Sequence, residues 1–330
     1  MPETFTYSVA IRTLGTAGEK YVKLLESIKN QTIQPEKIVV VLPEGYNLPD
    51  YQIGNETFVF SRKGMIPQRI EAIKHIESQY ILFCDDDVEL STDFAKKLVE
   101  ALRDCRYDVS AGPLLDFFPP KKVKYLLASV LGGACVMIRG KSFYYTRILC
   151  TGGWSYNREI DAKRHILYTA ESLPGTCFMA RTEPMKLMAY EHEIWAEKTG
   201  YAAFEDRIMI GKLWVNGFKA CVVSDAEYRH NDGKTSVRNL KLEPQYAAAF
   251  NHYIFWHRFL YSLGKSRTKK CWMQVCIHYY IFMSKLYNKM LYLLGRSTPE
   301  VYETVCKGFS DAKEFVKSDA YKQLPSPIVK

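Results

Sequence analysis

The sequence predicts an α/β fold: a mostly parallel sheet flanked by helices, with a helical extension at the C-terminal end. Three observations carry this. Short apolar runs alternate with helical periodicities of roughly 11–14 residues through the first two thirds of the chain, the pattern of βαβ units. Polar residues follow several of those runs directly, as they do where a parallel sheet presents its carboxyl ends to a ligand. Beyond about residue 240 the pattern changes to aromatic-rich helix with excess positive charge.

Taken in order, FTYSVAI (5–11) reads as a strand and 18–31 as an amphipathic helix. KIVVVL (37–42) and TFVFS (57–61) read as strands, 66–77 as a helix with Pro67 in its first turn, and QYILFC (79–84) as a strand running into Asp85, Asp86 and Asp87. A helix over about 92–103 and the strand DVSAG (108–112) follow. Residues 113–174 are less regular, with two Gly-Gly pairs, a basic stretch at 121–124 and the β-like FYYTRIL (143–149). GTCFMAR (175–181) reads as a strand, 183–199 as a helix, 205–218 as a helix stopped at Gly217, and KACVVS (219–224) as a strand leading into a loop that carries His230.

At 330 residues, 47% hydrophobic and 25% charged, the chain can bury a sizeable core, and its composition excludes disorder, collagen and coiled coil. Its nine cysteines are scattered with no C-x-x-C pair, and no charged segment followed by an apolar one opens the chain. Both features point to a reducing, cytoplasmic setting and away from a zinc ribbon or disulfide framework. The net charge of +9 is uneven: eleven Lys and Arg against one acid, Glu243, lie between positions 234 and 296, so the rest of the chain sums to −1. Thirteen of the 45 aromatic residues fall in 244–294, about twice an even share.

The sharpest chemical signal is ILFCDDDVEL. Three carboxylates at a strand end suit a hard divalent cation with positions left open for phosphate oxygens, although an aspartate can also cap the following helix. Glu205 and Asp206 open a helix after an aromatic lead-in; the helix dipole favours acids there, and adjacent acids also let one accept a proton while the other orients a hydroxyl. His230, after a strand, is either a metal ligand or a structural histidine. In RKGMIPQR (62–69), Gly64 allows close backbone approach, and Lys63 and Arg69 offer positive charge toward the same edge.

The order VAIRTLG, LLESIKNQTIQPEKIVVV, KGMIPQRIEAIKHIESQYILFCDDDVEL, GTCFMAR, YAAFEDRIMIGKLWVNGFKACVVSDAEYRH resembles the family 2 nucleotide-sugar glycosyltransferases, whose GT-A fold is a Rossmann-like sheet. The resemblance spans residues 7–230. It implies transfer from a nucleoside-diphosphate sugar, with inversion, to an acceptor hydroxyl on a saccharide or a lipid-linked saccharide. It also implies a divalent cation, Mn²⁺ or Mg²⁺, at a D-x-D element matching Asp85 and Asp87, with His230 near the diphosphate. Asp206 matches the general base with Glu205 beside it, and Thr13 and Glu44 match nucleobase-contacting positions; Asp86, Lys63 and Arg69 complete the donor-binding set. LPEGYN replaces the family's usual Asp-rich turn at Glu44. The expected division is a catalytic domain over 1–240, with a donor half to about 112 and an acceptor half from about 113, and a basic helical region over 241–330. Trp154 falls in the acceptor half. A nucleotidyltransferase on a similar sheet would need a Gly-rich lysine loop, and LGTAGEK (14–20) lacks its spacing. A catalytically silent binding protein is the other alternative.

In 272–294 the polar positions 274, 278, 285, 288 and 289 fall within about a 100° arc, leaving a wide apolar face. The longest run free of clearly polar residues there, 279–283, is far short of the roughly 20 needed to span a bilayer. With the basic cluster at 265–270, this predicts an in-plane helix on an anionic membrane surface, hence a peripheral position on the inner face of the membrane, with no nucleic-acid partner. A helix packed on the catalytic domain, or a dimer interface, is the alternative.

Overall fold

The computed structural model describes residues 5–103, 106–138, 142–231 and 241–329. Cys105, Lys234 and Arg238 from the sequence reading lie outside the described residues. In chain order the first half comprises β1 (Tyr7–Arg12), α1 (Glu19–Lys29), β2 (Lys37–Pro43), β3 (Glu56–Ser61), α2 (Met65–Lys74), β4 (Tyr80–Asp85), β5 (Val88–Leu90), α3 (Phe94–Arg103), β6 (Val109–Ala111), α4 (Val123–Gly132), β7 (Cys135–Met137), β8 (Tyr144–Ile148) and β9 (Trp154–Tyr156). The second half comprises β10 (Leu167–Ala170), β11 (Cys177–Arg181), α5 (Thr182–Leu187), α6 (Glu205–Val215), β12 (Ala220–Val223), β13 (Tyr228–His230), α7 (Leu242–Phe255), α8 (Arg267–Leu293), α9 (Pro299–Lys317) and α10 (Asp319–Lys322).

The main sheet runs β3-β2-β1-β4-β11-β6-β12-β10-β8-β9-β7. Strands β3, β2, β1 and β4 are mutually parallel, and β11 enters antiparallel between β4 and β6. Strands β1, β2 and β4 are buried along almost their whole length because both faces of the sheet are covered there, whereas the edge strand β3 is only partly buried. Their alternation splits them between two cores. Val9, Ile11, Val40 and Leu82 meet Leu24 and Ile28 of α1 and Leu98 of α3, whereas Ala10, Val39, Val41 and Phe83 meet Ile73 of α2 and Met209 and Leu213 of α6. A separate two-stranded antiparallel ribbon joins β5 to β13.

The structure departs from the sequence reading in three places. The helix expected over 183–199 breaks after α5: Ala189 takes a left-handed φ of 46°, and Tyr190–Thr199 continues as 3-10 turns. His230 ends a strand rather than sitting in a loop, because β13 finds a partner 140 residues away in β5. The less regular region contains α4 and the short strands β7 to β10.

The C-terminal helices are docked on the rest of the chain. Phe250, Ile254, Trp256, Phe259, Ile277 and Phe309 form a third core with Ile66 of α2, Trp195 and Ile208 of α6. Gly308 allows the closest approach of α9 to α7, since a Cβ there would lie 2.8 Å from the Ala249 Cβ and the Tyr246 carbonyl oxygen. At the same junction the buried Glu193 carboxylate accepts from Arg258 Nε and Nη2 at 2.7 and 2.9 Å and lies 2.9 Å from Lys212 Nζ. Removing one partner of such a buried cluster leaves an uncompensated charge, a loss of about 3–5 kcal/mol.

Candidate active site

The parallel register sets Arg12, the last residue of β1, beside Asp85, the last of β4. Its guanidinium donates from Nε and Nη2 to the two Asp85 carboxylate oxygens at 2.7 and 3.1 Å, and from Nη1 to Glu205 Oε1 at 2.6 Å. Arg12 thereby ties two strand ends to the first residue of α6. Arg69, buried against the rings of Phe83 and Phe178, adds a second cation: its Nη2 lies 3.3 Å from Glu205 Oε1 and donates to the Gly175 carbonyl at 2.5 Å. Burial opposes ionisation of Glu205, but the charges of Arg12 and Arg69 win and hold its carboxyl below the ordinary range. Its Oε2 is buried without a hydrogen-bond partner among the described residues.

Asp206 is held differently. Its Oδ2 accepts from the Gly175 backbone N–H at 3.0 Å and its Oδ1 from the Arg207 backbone N–H at 2.7 Å. Burial, reinforced by the neighbouring Glu205 charge, raises its proton affinity. Gly175 has to be glycine here, because a Cβ would sit 2.6 Å from the Asp206 Cβ. The turn into α6 is strained: Phe204 adopts a left-handed φ of 66°, a conformation that costs a non-glycine residue on the order of 1–2 kcal/mol. The cost is met by packing, with the buried Arg207 guanidinium 4.1 Å from the Phe204 ring centroid and 4.2 Å from that of Trp154. Arg207 also donates to the Gly152 carbonyl at 2.8 Å, and burial pushes its pKa down to about 10.

The three aspartates face three ways. Asp85 is neutralised by Arg12. Asp86 accepts from Thr13 Oγ1 at 2.5 Å; burial, with its two charged neighbours, raises its pKa to about 6 against the opposing pull of Thr13. Asp87 Oδ1 lies 3.2 Å from His230 Nε2, in a geometry fixed by the β5 to β13 ribbon, where the Asn231 N–H also donates to the Asp87 carbonyl at 2.7 Å. Burial works against the Asp87 anion, yet His230 holds its carboxyl below the ordinary value.

These groups open on a cleft of about 1690 Å³ lined by Thr13, Lys20, Lys63, the three aspartates, Glu205, Asp206 and His230. The far wall comes from the 3-10 segment, including Trp195 and Glu197, and from Tyr201 and Phe204. Glu197 Oε1 accepts from the Ile66 N–H at 2.7 Å in the first turn of α2. Lys63 donates to the Tyr46 hydroxyl at 2.6 Å.

Two residues proposed from sequence are not brought to the cleft wall. Glu44 is exposed on the turn after β2 and is absent from the lining. Arg69 is buried behind Glu205 and Asp85 as their counter-charge, packed on the rings of Phe83 and Phe178. Asp85, read as a metal ligand, has both carboxylate oxygens engaged by Arg12. The sequence sets Arg12 among the polar residues at a strand end without a role and gives no sign of Gly175; the pairing that gives each its meaning spans 73 or more residues for Arg12 and 31 for Gly175.

Among the described residues no three His, Cys, Asp or Glu side chains are grouped to hold a metal ion. The fit to a divalent cation is therefore a two-residue one: Asp87 and His230 supply a hard oxygen and an imidazole nitrogen 3.2 Å apart on the cleft wall, leaving the remaining positions for a ligand.

Comparison with known proteins places this geometry. Residues 50–183, from β3 through β11, match the model of glycosyl transferase family 2. No curated protein matches the chain in sequence. Among solved structures, S. aureus TarS 1–349, crystallised in complex with UDP-GlcNAc, is similar with a TM-score of 0.54 and 14% identity, covering 96% of this chain and 84% of that one. The centre of the chain is thus similar to glycosyl transferase family 2, within a GT-A-type fold shared with TarS over nearly its whole length and with a carboxylate-lined cleft at the strand ends.

Proposed function

We propose that the cleft transfers a sugar, with inversion, from a nucleoside-diphosphate sugar to an acceptor hydroxyl, and that Asp206 is the base. The observation that carries this reading is the asymmetry of the acidic pair. Glu205 is locked as an anion between two arginines, whereas Asp206 faces the cleft with only two backbone N–H donors and a raised proton affinity. A base works best when its pKa is lifted toward the working pH. The acceptor O–H gives its proton to Asp206 as its oxygen bonds to the anomeric carbon. The bond from that carbon to the diphosphate oxygen breaks, and the nucleoside diphosphate leaves with the electron pair.

Thr13, Asp86 and Lys63 lie on the donor side of the cleft. Asp87 and His230 would hold a divalent cation, Mn²⁺ or Mg²⁺, which supplies positive charge opposite the leaving diphosphate. Arg12 and Arg69 act from behind, keeping Glu205 ionised and holding both Glu205 and Asp85 in place. The same reading divides the chain into a donor half to about residue 112, an acceptor half from there to about 240, and a basic region from 241 that rests peripherally on an anionic membrane. The acceptor is a saccharide or a lipid-linked saccharide. The deciding experiment measures release of nucleoside diphosphate from donor sugars, with and without acceptor and Mn²⁺, for the wild-type protein and Asp206→Asn. Release that survives the substitution removes the base assignment.

A further inference from the structure

Helix α8 turns only one of its apolar edges inward. Met273, Ile277 and Ile281 are buried on the domain, whereas Trp272, Val275, Tyr279, Phe282, Leu286 and Leu293 are exposed, Trp272 at 60% and Leu293 at 70%. At 100° per residue those six fall within about an 80° arc on the side away from the buried stripe. The wide apolar face of the sequence reading is therefore two faces, one packed and one outward. A second helix extends the outward one. The Tyr279 hydroxyl donates to the Leu131 carbonyl at the end of α4 at 2.5 Å, and Val123, Leu127, Val130 and Leu131 of α4 are themselves exposed. So much contiguous apolar surface is uncommon on a soluble monomer.

We propose that α4 and α8 form one composite face that binds an anionic bilayer in plane, setting the acceptor end of the cleft against the lipid. This rests on the membrane reading above and adds α4, from the acceptor half, as a binding element. Charge selects the occupant. No Asp or Glu occurs between positions 244 and 299, while Arg267, Lys269, Lys270, Lys285, Lys289 and Arg296 all do. A second copy docked isologously would set these cations against themselves, whereas anionic headgroups complement them. Among the described residues no helix is long and apolar enough to cross a membrane, so the face lies on the bilayer rather than spanning it. The connection to chemistry is short. The Gly133 carbonyl, just past α4, accepts from Thr151 Oγ1 at 2.6 Å, the next carbonyl, Ala134, accepts from the Trp154 N–H at 3.0 Å, and Trp154 stacks on Arg207 behind Phe204 and Asp206. An acceptor with a lipid tail would keep the tail in the bilayer while its hydroxyl reaches Asp206.

Flotation of the full chain with phosphatidylglycerol-containing and pure phosphatidylcholine vesicles at low salt tests this. Wild type should float with the anionic vesicles only. Leu127→Glu with Val130→Glu, both at exposed positions, should weaken partitioning at least about tenfold without changing nucleotide-sugar binding in solution, and so should Phe282→Glu on α8. The milder pair Leu127→Ser with Val130→Ser, checked by its melting temperature, guards against a folding defect. If wild type ignores anionic vesicles, or light scattering shows that the face pairs two copies instead, the membrane reading falls and the proposal with it. If wild type floats, Phe282→Glu does not and both α4 variants float unchanged, the membrane reading stands and the composite face is overturned.

Discussion

Strands β1, β2 and β4 are six or seven residues long and buried along almost their whole length, whereas β7, β8 and β9, at the opposite end of the sheet, have three to five residues and are partly exposed. The first group carries the charged constellation at its carboxyl ends, in registers that do not slip. The second joins β10 through a register shift at Thr169 and Ala170 and lies next to the strained turn at Phe204. The difference separates two jobs. Fixed carboxylates and arginines need a stiff frame, since a displacement of about 1 Å can cost a hundredfold in rate. The proposed acceptor side is built from shorter, less buried pieces, whose local stability is lower.

That contrast can be tested from its strongest consequence down. Asp206→Asn should lower turnover by about 10²- to 10⁴-fold with donor affinity nearly unchanged, measured by steady-state transfer and by titration with the nucleotide sugar. Glu205→Gln acts on the frame instead. It leaves Arg12 and Arg69 facing a neutral group, and should destabilise the fold by about 3–5 kcal/mol in denaturant titration, with activity lost through disorder of the site. If Glu205→Gln melts like wild type, the locked-anion account is wrong.

Leu82→Ala, in a fully buried strand, should cost about 2–5 kcal/mol, while Met137→Ala in the half-exposed β7 should cost under about 1 kcal/mol. Equal losses would erase the contrast in rigidity. His230→Ala should weaken donor binding about tenfold in Mn²⁺ and little without it, read by titration under both conditions. The smallest effect is on pH. Burial raises the pKa of Asp206, so it binds its proton at a higher pH than an ordinary carboxyl, and the rate should start to fall with acidification sooner than an unperturbed aspartate predicts. A pH profile of turnover, flat to the ordinary aspartate range, would contradict this.

Much of the architecture is legible in the amino-acid sequence because it is local. KIVVVL, QYILFC and GTCFMAR are strands by their apolar runs, the helices between them follow from periodicity, and the Asp triplet must stand at a strand end because the run before it is the strand. Acids at positions 205 and 206 open a helix for the same kind of reason, and α8 shows its wide apolar side in its spacing, although only packing divides that side into an inward and an outward face. What depends on pairings across the chain was not legible. Arg12 reads as one more polar residue after a strand until β1 and β4 align and α6 brings Glu205 to it. Only then is Glu205 a fixed counter-ion and Asp206 the acid left to titrate. His230 meets Asp87 only because β13 pairs with β5, two three-residue strands too short to announce themselves. The break at Ala189, which lays the 3-10 segment along the cleft, defeats a helical pattern that propensity favours. Periodicity and composition act within a dozen residues, so they determine elements; ion pairs and close approaches join residues far apart in the chain, so only tertiary packing decides which carboxylate is locked between arginines and which is held by backbone N–H groups alone.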